Sequence, residues 1–205
     1  FCALSVDDVK DADELVEVMF KSEGLTYEQL YGLCDLLESI QESAGVAKVR
    51  GAILAVCARQ FGAESKEVGG ALNGVGSAYV RLGDNVKARD AFEQALPIYE
   101  REYGSDGAEV ADVLTNLGVA YSRLGDIGKS RDVWERALAI NERAYGRNHP
   151  SVALTLFNLG NVHAALGDKA KAREYIARAL AIAERAYGSD HPRTNMCRDL
   201  LADLS

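Results

Sequence analysis

The sequence has no long apolar run. Although 48% of its 205 residues are hydrophobic, nothing approaches the ~18 consecutive apolar positions that a membrane-spanning helix needs. The composition instead suits a soluble chain with a continuous buried core. Histidine is scarce, with His149, His163 and His191 the only three. None has a nucleophile or carboxylate partner at a spacing that local structure would bring together, which argues against a catalytic triad, a zinc site and an enzyme. The four cysteines, Cys2, Cys34, Cys57 and Cys197, include no CxxC pair and fit free thiols in a reducing compartment. The expected location is therefore intracellular, in the cytoplasm, or inside an organelle once a targeting peptide has been removed. Positive charge is not in excess, since the net charge is −8. Nucleic acid is not an expected partner. Glycine-bearing strings such as GLTYEQ and GVGSAYVRLG fall within or between helical patterns, not after strands, so phosphate-loop readings fail. No cofactor and no small-molecule substrate is expected.

What the chain does have is a pattern stated three times at a period of 42 residues. The middle copy reads Leu114, Leu117, Gly118, Tyr121, Leu124, Gly125, Asp126, Trp134, Ala137, Leu138, Tyr145, Gly146, His149 and Pro150. The later copy repeats it as Leu156, Leu159, Gly160, His163, Leu166, Gly167, Asp168, Ile176, Ala179, Leu180, Tyr187, Gly188, His191 and Pro192. The earlier copy is looser, with Leu72, Gly76, Tyr79, Leu82, Gly83, Asp84, Phe92, Ala95, Leu96, Tyr103 and Gly104. A fixed period in this range marks a stacked array of supersecondary units.

Each unit reads as two helices joined by a tight turn. Val110, Leu114, Leu117 and Tyr121 give the first helix one apolar stripe. Gly125 is placed for a left-handed helix end, and Asp126 for the next N-cap. The second helix is predicted over about Ile127 to Tyr145, with Trp134, Ala137, Leu138 and Tyr145 facing inward. Gly118 and Gly160, with Ala137 and Ala179 opposite, are expected to let helices approach closely. Pro150 and Pro192 open following first helices, where a missing N–H costs nothing. Pro97 falls inside a second helix, and a bend is expected there. Asp84, Asp126 and Asp168 read as caps and not as a metal site, because copies on successive units lie about 10 Å apart. His149 and His191 read as turn or cap residues, His163 as a packing residue. The arginines and lysines of the second helices alternate with glutamates and read as a mixed solvated surface.

With Leu114, Gly118, Tyr121, Trp134 and Ala137 at these spacings, the unit resembles the tetratricopeptide repeat. The strings ERAYGRNHPSVA and RALAIAERAYGSDHP resemble its kinesin-light-chain variety. The resemblance covers about Glu64 to Pro192 and implies an all-α, right-handed α-solenoid of stacked helical hairpins. It also implies a concave, protein-binding groove lined by first helices. Carried over position by position, that groove comprises Asn73, Ser77 and Arg81, then Thr115, Asn116, Val119 and Arg123, then Leu154, Phe157, Asn158 and Asn161. Asparagine can donate to and accept from a peptide backbone, and Arg81 and Arg123 suit acidic side chains. One asparagine of each pair typical of that variety is kept, with Gly74, Thr115 and Phe157 in place of the other. Phe157 is the expected aromatic anchor. The lysine-rich clamp of chaperone-binding relatives is absent.

The expected layout is an acidic N-terminal helix or cap at 1–24, a degenerate helical pair at 25–63, repeats at 64–105, 106–147 and 148–189, and a capping helix at 190–205. Residues 1–42 hold eleven acids against Lys10 and Lys21, a charge of −9, while the remainder carries 21 basic and 20 acidic residues. A solvated helix face explains such a run more simply than an interaction segment does. In the terminal helix Met196, Leu200, Leu201 and Leu204 are expected to cover the last repeat. The expected function is a non-catalytic scaffold that binds a segment of a partner protein in its groove. The alternative is an assembly subunit docked in a larger complex through its convex face, its ends or its acidic segment.

Overall fold

The computed structural model describes residues 43–204 together with Gly32, Cys34 and Asp35. Those three isolated residues are helical. The acidic helix or cap expected at 1–24, and most of the first half of the helical pair expected at 25–63, lie outside the described residues. Among the described residues there are eight α-helices and no strand. They are α1 (Ser43–Phe61), α2 (Lys66–Leu82), α3 (Asn85–Tyr103), α4 (Ala108–Arg123), α5 (Ile127–Tyr145), α6 (Pro150–Ala165), α7 (Lys169–Tyr187) and α8 (Pro192–Asp203). The starts of α2, α4, α6 and α8 are each 42 residues apart, as are those of α3, α5 and α7. The sequence period is thus a period of helical hairpins.

Local chemistry sets the boundaries. In each hairpin turn one glycine takes the left-handed region, at φ 79°, 80° and 80° for Gly83, Gly125 and Gly167, where a Cβ would be strained. The aspartate that follows caps the second helix. Oδ1 of Asp84, Asp126 and Asp168 accepts from the backbone N–H of Lys87, Lys129 and Lys171. Histidine caps two of the first helices: Nδ1 of His149 accepts from the Ser151 N–H and Nδ1 of His191 from the Arg193 N–H, both at 3.2 Å. Pro150 and Pro192 follow in the first turn. Helix α3 runs unbroken through Pro97, whose ring lies on the exposed side.

The chain divides into two compact units, residues 1–98 and 99–205. In the first, α1 packs against α2. Val46, Val49, Ile53 and Cys57 of α1 are buried, as are Val68, Ala71, Leu72 and Ala78 of α2. Phe92 of α3 lies so close to Gly76 that a Cβ there would sit within 3.0 Å of its ring.

In the second unit α4 packs on α5, α5 on α6, α6 on α7 and α7 on α8. One cluster joins Trp134, Leu159 and Val162, with Val119, Ile127, Leu138 and Tyr175 against it. Another joins Val152, Leu156, Ile176, Ala179, Ile182, Cys197 and Leu204. The close approaches differ from the expected glycine–alanine pairing. The side chain against Gly118 is the Trp134 indole, and the one against Gly160 is Ile176. Trp134 Nε1 also donates to the Thr115 carbonyl at 3.0 Å, which satisfies the buried indole N–H.

Two further placements correct the sequence reading. Tyr145 is 47% exposed and stacks on His149, with ring centroids 4.6 Å apart. Met196 is 53% exposed, while Thr194, Cys197 and Leu204 are buried and Leu200 and Leu201 pack against the same core. The basic columns on the second helices divide as well. Arg136 Nη2 lies 2.6 Å from Glu100 Oε1 and donates to the Ser105 carbonyl. One period later Arg178 Nη2 lies 2.5 Å from Glu142 Oε1 and donates to the Arg147 carbonyl. On α8, Arg198 meets Glu184 and the Ser189 carbonyl in the same manner. These arginines tie successive second helices, or α7 and α8, instead of facing water alone.

Candidate functional site

The first-helix residues expected to line a binding surface are carried on α2, α4 and α6. On α2, Asn73 is half-buried and its carbonyl accepts from Ser77 Oγ at 3.0 Å, while Arg81 is exposed in the last turn. Gly74 leaves room for the Arg50 side chain of α1, which lies against it. On α4, Thr115 Oγ1 donates to the Ala111 carbonyl at 2.7 Å, and Asn116 is half-buried. Val119 packs on the Trp134 cluster, so it serves the core. Arg123 is exposed.

On α6 the expected residues come together. Leu154, Phe157 and Asn158 line one cavity of about 240 Å³ with Pro150 and Ala153 of the same helix, Ala183 and Tyr187 of α7, and Arg193, Met196 and Cys197 of α8. Asn161 is exposed and donates through Nδ2 to the Phe157 carbonyl. Phe157 itself is half-buried against the core cluster of α6, α7 and α8. Its ring belongs to the cavity wall, and the freely projecting apolar groups at the cavity are Leu154, 45% exposed, and Met196.

The α7 and α8 members were not among the expected site residues. A signal for one of them existed in the repeat: Met196 stands 42 residues after Leu154, an expected site residue. Arg193 is held from one side. Its Nη1 donates to the Tyr187 hydroxyl at 3.1 Å, and its guanidinium carbon lies 5.5 Å from the Tyr187 ring centroid. The same ring stacks on His191 at 4.7 Å. Burial pushes the Cys197 thiol above its ordinary range, which keeps it neutral near pH 7.

Elsewhere, chemistry-bearing side chains are used structurally. His163 is buried, with Nδ1 3.6 Å from Asp168 Oδ2 and its ring tilted against Tyr175 at 5.3 Å. Asn141 of α5 donates to Thr155 Oγ1 of α6 at 3.4 Å inside the protein, a contact between successive hairpins that periodicity did not suggest. Among the described residues no three His, Cys, Asp or Glu side chains gather as metal ligands. No described helix is long and apolar enough to cross a membrane.

The family model described as tetratricopeptide repeat matches residues 67–133 and 109–185. No curated protein matches the chain. Among solved structures, BtubC (BKLC) from P. vanneervenii superposes with a TM-score of 0.76 at 19% identity, covering 97% of this chain and 81% of that one. A Podosopora anserina structure of nearly identical TPR-like repeats, named for kinesin light chain, gives 0.63 at 20% identity, covering 98% and 86%. Aspartyl phosphate phosphatase F from Bacillus subtilis gives 0.72 at 16% identity, covering 97% of this chain and 47% of that one. At such identities the likeness is one of fold.

Proposed function

Since the chain belongs to the tetratricopeptide repeat family and its hairpins recur with a 42-residue period, we propose that it is a non-catalytic scaffold receiving a segment of a partner protein on its first helices. The repeat fold itself is a protein-interaction architecture, and the site on it decides what is bound. The observation that carries the reading is the grouping of Leu154, Phe157 and Asn158 in one cavity between α6 and α8. Three side chains chosen by repeat position converge there, the exposed Leu154 among them, and the exposed Met196 flanks them. Asn116 and Thr115 on α4 extend the set of contacts that the second unit offers to a partner, and Asn73, Ser77 and Arg81 of α2 are those that the first unit offers.

The test uses the double variant Asn116→Ala with Asn158→Ala. Both side chains are half-buried helix-surface groups, so helicity by circular dichroism should be retained. Affinity purification from the native source, quantified against the unaltered chain, should lose at least tenfold of the specific partner, the equivalent of roughly 1.4 kcal/mol. Undiminished recovery would sink the first-helix reading and point to the second helices or the acidic 1–42 segment as the docking surface.

A further inference from the structure

We infer that the cavity between α6 and α8 is a binding site for a small apolar monocarboxylate, an organic acid about the size of one amino-acid residue. Charge is the first ground. Arg193 lines the cavity and is oriented by Tyr187, yet no carboxylate among the described residues pairs with it. Arg131, Arg136, Arg143, Arg147, Arg178 and Arg198 of the same unit lie within 4.0 Å of a carboxylate, whereas Arg185, like Arg193, pairs with none among the described residues but is not among the cavity-lining residues. A guanidinium has five N–H donors in a planar fork, and the only hydrogen bond it makes with the described residues is the one to Tyr187. It is an exposed cation at the cavity, held on one side by Tyr187 and without a carboxylate partner among the described residues.

The rest of the lining is uncharged. Pro150, Ala153, Leu154 and Phe157 offer apolar surface, and Cys197 is a buried neutral thiol. The Asn158 amide has no hydrogen-bond partner among the described residues and can donate to a second carboxylate oxygen. The first turns of both α6 and α8 reach the cavity, through Pro150 and Arg193, and helix N-termini favour negative charge. One cation balances one carboxylate, whereas a phosphate dianion calls for more.

Compactness then selects the kind of molecule. Drug-sized pockets run from about 300 Å³ upward, and this one holds about 240 Å³. Its cation and its apolar wall share that single space, so head and tail must share it too. Adjacent side chains of an extended segment point to opposite sides. An acidic residue and its apolar neighbour would therefore not enter together, whereas an acid whose carboxylate sits on its apolar body would. The cavity is the one counted above among the partner-binding contacts, so a bound acid and a partner segment would compete for it. The assay uses no partner, and its failure leaves the first-helix reading to its own test.

The experiment titrates octanoate and 3-phenylpropionate into the full chain labelled with 13C-methyl methionine. The chain has two methionines, Met19 and Met196, so the cavity reports through one of two resonances. The expected result is a saturable shift of Met196, absent with octanamide and 3-phenylpropionamide, and at least tenfold weaker in Arg193→Gln at unchanged helicity. Should Arg193→Gln lose helicity, Leu154→Glu decides instead: an acid on the exposed rim should weaken octanoate at least tenfold. Equal binding of the amides, binding retained in Arg193→Gln, or no shift at Met196 would overturn the inference. So would binding confined to short peptides ending in Phe or Leu with a free carboxyl group, which would assign the cavity to the end of a partner polypeptide.

Discussion

Gly118 shows how much one missing side chain decides. A Cβ there would sit within 3.0 Å of the Trp134 indole, and that ring is 97% buried and hydrogen-bonded to the Thr115 carbonyl. It has nowhere to go without breaking that bond. Gly118→Ala should therefore destabilise by about 1–3 kcal/mol through overpacking. Gly70, inside α2 with nothing within 4 Å of its Cβ position, should respond in the opposite sense. Gly70→Ala should stabilise by about 0.5–1 kcal/mol, because only the unfolded chain loses freedom. Thermal unfolding of the two variants checks both signs, and equal signs would contradict the steric account. The small-residue column was legible in the sequence because it recurs at a fixed period. What fills the gap was not: Trp134 and Ala137 are one helical turn apart, and spacing alone does not say which of them meets the glycine.

At the scale of the element, ends and hairpins were the most legible features. Left-handed glycines and capping aspartates act through bonds to neighbours two to four residues away, which a sequence window contains. Contacts between successive second helices depend on side-chain reach across some forty residues, and there the reading was too general. Arg131 fits the solvated surface inferred for its column, pairing with the adjacent Asp132 in the open. Arg178 does not, because it is 28% exposed and holds Glu142 Oε1, an atom buried from water. Arg178→Ala should cost about 1–3 kcal/mol by removing the hydrogen bond to the Arg147 carbonyl and the nearest counter-charge of a half-buried carboxylate. Arg131→Ala should stay within about 0.5 kcal/mol, as exposed pairs do. Urea unfolding followed by circular dichroism separates the two, and a larger effect at Arg131 would overturn the assignment of Arg178 as the tie between hairpins.

Across the whole molecule, the repeat made the fold readable and hid the cavity. Every copy of a repeat predicts the same surface, but the cavity arises where α6 meets α8, which follows a hairpin and brings Met196 to Leu154, 42 positions earlier, with Arg193 in the same lining. The sequence named the α6 half of the site and treated α8 as cover for the core. The energetic counterpart of repetition is that each hairpin rests on its neighbours. In the second unit Ile176 is fully buried in a cluster built from α6, α7 and α8, which Leu138 of α5 also touches. Ile176→Val should cost about 0.5–1.5 kcal/mol, small enough to leave the unit folded. Amide hydrogen exchange should then rise most in α6 and α7, less in α5 and α8, and least in α4, which has no residue in that cluster. A uniform rise over all five helices would instead mean that the unit opens as one cooperative block, and that coupling between its hairpins exceeds the stability of any one of them.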